Sequence, residues 1–241
     1  MAPLEPTFIK QCPSDNGFRL RGMNMTRIEV FVDAAFAFAV TMLVISFDSI
    51  PQNFSEMIIA IKNIPAFIFS VVQLIWIWHA HNVWSKRFGL DNGMTVFLSA
   101  TLLIIVLVYI YPMRIMNQSM MAYFTNGYLY SSFNFDLASE LSAMFIFLGI
   151  GFFSFCILFV SLNYYALSLK DELLLDEHEI YETRTLVFVW MGAAANALLC
   201  ILLALILPPN LLPFSGFSLF LLSFWIPYIR ISRARKSPLP S

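Results

Sequence analysis

The stretch Arg27-Ile-Glu29-Val-Phe31-Val-Asp33-Ala-Ala-Phe-Ala-Phe38-Ala-Val-Thr41-Met-Leu-Val-Ile45 decides how this chain is read. It is long and apolar enough for a membrane helix, yet it carries Arg27, Glu29 and Asp33. An ionisable side chain inside a bilayer costs about 2.5 to 3.5 kcal/mol on insertion scales, so it is seldom there without a partner or a job. At about 100° per residue, Arg27, Phe31, Ala34, Phe38, Thr41 and Ile45 fall close to one face, while Glu29 and Asp33 point roughly the opposite way. Alanines at 34, 35, 37 and 39 let neighbouring backbones approach closely, which suits a helix packed centrally over one facing lipid. A central helix with an aromatic, a hydroxyl and a β-branched side chain on one face is suited to line a pore built from several copies.

The rest of the chain is a membrane protein around this helix. Of 241 residues, 59% are hydrophobic and 12% charged, and that charged share is roughly half of what a soluble domain carries. Fourteen Lys+Arg against fifteen Asp+Glu leave a formal charge of -1, so nothing global recommends nucleic acid as a partner. Cys12, Cys156 and Cys200 stand far apart with no CxxC spacing, which indicates neither a disulfide framework nor a zinc site. Cys156 and Cys200 read as buried packing residues.

A bilayer core of about 30 Å takes about 20 apolar helical residues. Phe31–Phe47, Asn63–Ser85, Met94–Met113, Leu141–Leu169 and Thr185–Leu207 approach or exceed that length, and the shorter Phe214–Ile229 spans only with help from its flanks. Pro51, Pro208, Pro209 and Pro213 separate the stretches, and Pro65, Pro112 and Pro227 sit near helix ends. The expected fold is therefore all-α, with six transmembrane helices at residues 27–231, preceded by a segment at 1–26 and followed by a tail at 232–241. With six spans, 12 of the 14 basic residues lie on the side of the two termini, and only Lys62 and Arg114 on the other. The positive-inside rule then puts both termini in the cytoplasm. The first apolar stretch begins some thirty residues in and has no small-residue cleavage site, unlike a removable signal peptide.

The second helix ends Trp76-Ile-Trp78-His79-Ala-His81-Asn-Val-Trp84-Ser-Lys86. His79 lies at the same depth as Asp33, about 10 Å in, so the two are expected to hydrogen-bond across adjacent helices, as a structural pair or as a gating or proton-sensing one. His79 and His81 point to different sides and make a poor chelating pair. The third helix ends Tyr109-Ile-Tyr-Pro112-Met-Arg114, which reads as an aromatic belt with an anchoring cation at the outer interface. The run Lys170–Arg184 holds six acids and reads as a solvated helix extension, or as a means of concentrating cations near an inner mouth.

With these residues in view, the sequence resembles the transmembrane protein 175 family of potassium channels, which lack the usual re-entrant selectivity loop. The family's first-helix pattern R-x-x-x-F-S-D appears as Arg27-x-x-x-Phe31-Val32-Asp33, with Thr41 eight residues after the acid and Trp76-x-x-His79 echoing the second helix. The pattern does not recur after residue 33, which argues for four chains over a two-repeat dimer. The resemblance implies a homotetramer in the plasma membrane whose four first helices surround the pore, with potassium as the permeant ion and no cofactor. Phe38 stands at the constriction, where the family usually has Ile or Leu, and Thr41 and Ile45 form the next layers outward. Arg27, Phe31, Asp33 and His79 form the motif network.

Two other functional classes could draw on the same residues. A proton-coupled secondary transporter would use Asp33 and His79 as its relay, but inverted repeats and Gly-rich broken helices are not visible in the sequence. A membrane-embedded enzyme would need a GxSxG, an HExxH or paired intramembrane carboxylates, and none is visible.

Overall fold

The polar residues between the apolar stretches start and stop the helices. A computed structural model describes residues 4–45, 51–133, 135–234 and 238. Thr26 and Glu29 open helix α2 (Arg27–Ile45) with a reciprocal capping box: Thr26 N donates to Glu29 Oε2 at 2.6 Å and Glu29 N to Thr26 Oγ1 at 3.4 Å. Asn53 caps α3 (Phe54–Phe88) through Glu56 N, and Gly89 ends it in the left-handed region at φ 58°. Asn92 caps α4 (Gly93–Phe124) through Thr95 N. Helix α5 (Ala138–Ser168) follows, and Asp176 with Glu179 opens α6 (Glu177–Ile206).

The four middle helices outrun the expected spans, because helical hydrogen bonding continues past the apolar stretch at one end or both. Helix α3 has 35 residues, about 52 Å at 1.5 Å each. Pro65 and Pro112 consequently lie well inside α3 and α4, away from the ends. The short sixth stretch gains its length from the turns before it: a 3-10 turn at Pro209–Leu211, α7 (Pro213–Phe217), a second 3-10 turn at Ser218–Leu221 and α8 (Leu222–Ala234). Among the described residues, five helical segments are long and apolar enough to cross a membrane: α3, α4, α5, α6 and Pro209–Arg233. Helix α2 has 19 residues, three of them charged at Arg27, Glu29 and Asp33.

The chain before α2 is folded, which departs from an all-α reading. Helix α1 (Pro6–Gln11) leads into a hairpin of β1 (Ser14–Asp15) and β2 (Phe18–Arg19), paired antiparallel with Ser14 opposite Arg19 and Asp15 opposite Phe18. Asn16 and Gly17 make the turn with positive φ of 50° and 80°, the geometry an Asn-Gly pair favours in a two-residue hairpin. Phe18 is buried edge-on against Phe88, with the Arg87 guanidinium over its ring at 4.5 Å.

Packing relies on small residues and stacked rings, since apolar contact with lipid leaves little hydrophobic drive between helices. Helices α5 and α6 form the most extensive pair, with Ala193, Ala194 and Ala197 buried and Gly149 set against Ile201. Phe159 and Trp190 stack across it at 4.4 Å, nearly parallel. Helix α4 joins the two halves of the bundle, touching α2 and α3 on one side and α5 on the other. Cys156 and Cys200 are buried, unbridged packing residues.

Candidate pore helix and the side chains that hold it

Helix α2 has two unlike faces. Val32, Phe36, Ala39 and Leu43 are buried against α3 and α4. Arg27, Phe31, Ala34, Phe38 and Thr41 face away from their own chain, with Phe31 61% and Phe38 55% exposed. Thr41 Oγ1 donates to Ala37 O at 3.1 Å, which spends its proton on the helix and leaves its lone pairs facing outward. The backbone at Ile45 closes the helix, and its side chain lies outside the described residues.

The two acids of α2 turn toward α3. Glu29 accepts from Ser85 Oγ, and Asp33 Oδ1 accepts from Trp78 Nε1 at 2.7 Å. The expected pairing of Asp33 with His79 is corrected by this bond. Depth along the helix leads to this turn of α3, but Trp78 and His79 differ by about 100° around it, and Trp78 is the one that meets α2. Of the four residues of the motif network, Arg27 and Phe31 lie on the outward face of α2, Asp33 turns inward, and His79 is exposed on α3. The buried histidine is His81, whose Nε2 lies 3.0 Å from Ser99 Oγ on α4 and whose ring lies 6.1 Å from that of Trp84.

A polar ladder joins α3 to the C-terminal half of α4. Asn117 Nδ2 donates to Ser70 Oγ at 2.8 Å and to Gln73 Oε1 at 2.7 Å, and Gln118 Nε2 to Asn63 Oδ1 at 3.3 Å. Bonds of this kind contribute on the order of 0.6 kcal/mol each in membrane bundles and fix helix register. Arg114 heads the ladder. It is only 5% exposed, and its Nη1 donates to Leu43 O at 2.9 Å in the last turn of α2. The expected role as an interfacial anchor is therefore corrected: this cation turns inward, onto the carbonyl end of a helix, where the macrodipole favours positive charge. The spacing of Asn63, Ser70 and Gln73, seven and three residues apart, is the sequence signal for a polar seam on α3. No comparable signal linked Arg114 to a residue 71 positions earlier. Among the described residues, no cluster of three or more His, Cys, Asp or Glu is placed to hold a metal ion.

Residues 27–112, the part of the chain that holds α2, α3 and the Asp33–Trp78 bond, match the family described as "Endosomal/lysosomal potassium channel TMEM175". A curated relative from Marivirga tractuosa named "Potassium channel" is 29% identical over 198 residues, covering 79% of each chain. The fold is similar to that of a crystallised variant of the potassium channel MtTMEM175, in complex with a nanobody–MBP fusion protein. That match has a TM-score of 0.80 and 26% identity, and it covers 92% of this chain and 99% of that one. Over residues 27–112 the chain is similar to the TMEM175 family. The matched segment contains the whole Arg27-x-x-x-Phe31-x-Asp33 pattern on which the resemblance rested. Its five long apolar helices make it a multi-pass membrane protein, and the two proteins it matches are potassium channels. The departures from the family pattern are also placed: Val32, where the pattern has Ser, is 1% exposed in the core, whereas Phe38 lies on the outward face.

Proposed function

We propose that the chain is one subunit of a homotetrameric, potassium-permeable channel without a re-entrant selectivity loop, its pore lined by four copies of α2. The observation that carries this reading is the outward stripe of Phe31, Ala34, Phe38 and Thr41 on a helix whose other side lies in the core. A central pore helix needs such a stripe. In this reading α2 is a sixth span, both termini are cytoplasmic and the channel sits in the plasma membrane. Four Phe38 rings form a hydrophobic constriction that controls passage by dewetting, and the Thr41 hydroxyls and Ile45 offer weak successive layers beyond it. Potassium is the permeant ion and no cofactor takes part. The bond from Trp78 to Asp33 supports a structural acid over the proton relay that a coupled transporter would need.

The test is single-channel recording of the purified chain in planar bilayers, with the oligomeric state measured by mass in the same detergent. Picoampere steps from a tetramer are the expected result. Carrier-like flux without steps, or a monomer or dimer that conducts, would overturn the reading.

A further inference from the structure

The acid that the sequence presents as part of a solvated run, Glu179, is 0% exposed. Arg21, from the segment before α2, meets it in a two-pronged pair, Nη2 to Oε2 at 2.6 Å and Nη1 to Oε1 at 3.0 Å, with the side chains 1% and 0% exposed. The carboxylate also accepts from Arg19 N at 2.8 Å and from Asp176 N at 3.1 Å. The guanidinium in turn donates from Nε to Leu173 O at 2.9 Å and from Nη2 to Leu174 O at 3.3 Å. Leu174 holds a positive φ of 50°, so the connection between α5 and α6 is bent around Arg21 against its own backbone preference. A buried ion pair is poor evidence of stability, because desolvation offsets the attraction, and an apolar pair of the same size would often serve as well. What such a pair does supply is a single register.

That register passes to α2 along a short path. Directly after the pair, Arg21 N donates to Arg87 O at 3.4 Å and Gly22 N to Lys86 O at 2.9 Å. The crossing has no slack: a Cβ on Gly22 would lie 2.5 Å from Ser85 O and 2.9 Å from Gly89 Cα. Five residues later α2 begins, and its Glu29 accepts from Ser85 Oγ in the same turn of α3. We infer that the Arg21–Glu179 pair is a latch that positions the inner end of α2, coupling the α5–α6 pair to the opening of the pore. Arg21 and Glu179 are thus positioning residues that touch no ion. This inference rests on the reading of α2 as the pore helix.

The experiment records single channels from full-length E179Q, R21K, the double variant and F38A. Glu179→Gln keeps the shape but sets an amide donor against the donors around it, and Arg21→Lys keeps the charge but loses the fork. Each single variant is expected to keep wild-type unit conductance and to change open probability by about ten-fold. The double variant should match the larger single effect, because one latch opens once. Wild-type open probability in both singles, additive effects in the double, or altered unit conductance in either would overturn the latch. If E179Q fails to assemble, R21K decides alone. F38A separates the two readings: unchanged conductance there removes the pore assignment and the latch with it, whereas altered conductance with wild-type gating in E179Q and R21K removes the latch alone.

Discussion

Trp78 donates its indole N–H to Asp33 at 2.7 Å, which fixes the middle of α2 against α3. Replacing Trp78 by Phe keeps most of the apolar contact but leaves a half-buried carboxylate without that donor. The expected cost is about 1 to 3 kcal/mol. Asp33→Asn is expected to cost less, because its amide oxygen still accepts from the indole and the buried charge is gone. Thermal unfolding of the purified protein should rank W78F below D33N, and D33N below wild type. The opposite order would mean that Asp33 has a stronger partner than Trp78.

Phe38 is more than half exposed on the outward face of α2. If four of them form the constriction, Phe38→Ala removes the apolar ring that excludes water, so unit conductance should rise and the preference for potassium over sodium should fall. Unit current and the reversal potential under mixed potassium and sodium gradients measure the two effects. Phe36 lies two residues away in the core and is 4% exposed. Phe36→Ala should instead lower stability, by roughly 3 to 5 kcal/mol, without widening the pore.

How far the sequence reaches is visible in these neighbours. Periodicity placed Phe31 and Phe38 on one face of α2 and Asp33 on another, because a helix repeats its directions whatever surrounds it. Depth along α3 points to the turn that meets Asp33, but depth carries no azimuth and so does not separate Trp78 from His79. The hairpin at Asp15-Asn16-Gly17-Phe18 carries a local signal in its Asn-Gly turn, but its two-residue strands are too short to show an alternating apolar pattern. Glu179 showed half of its environment in the Asp176-x-x-Glu179 capping pattern. Its other half, Arg21, lies 158 residues away, and an acid-rich run reads as solvated when nothing local marks which acid turns inward.

Cys12 offers a reporter beside the latch. Burial pushes its thiol above the ordinary value, and Glu179 adds to that, while Arg21 and Arg19 pull it down by less than burial raises it. The thiolate is the reactive form, so maleimide labelling should be slower than for a free thiol at pH 8 and should keep rising at pH values where a free thiol has levelled off. Cys156 and Cys200, 0% and 3% exposed, stay unlabelled in the folded protein. Glu179→Gln removes a neighbouring negative charge and loosens the packing, and both changes should speed labelling. A rate unchanged in E179Q would mean that Cys12 does not sense the pair.

At the other end of α2, Arg114 donates to Leu43 O from a site that is 5% exposed. The last four carbonyls of a helix have no partner within it, so this bond satisfies a group that lipid cannot. Arg114→Met keeps much of the volume and removes this donor from the carbonyl end of α2, with an expected loss of about 1 to 3 kcal/mol. Arg114→Lys restores a cation at the negative end of the helix dipole but not the planar reach of the guanidinium, and should recover part of that loss. Unfolding midpoints of the two variants against wild type measure the difference. Equal losses would show that geometry alone matters at this end of α2, and full rescue by Lys would show that charge alone does.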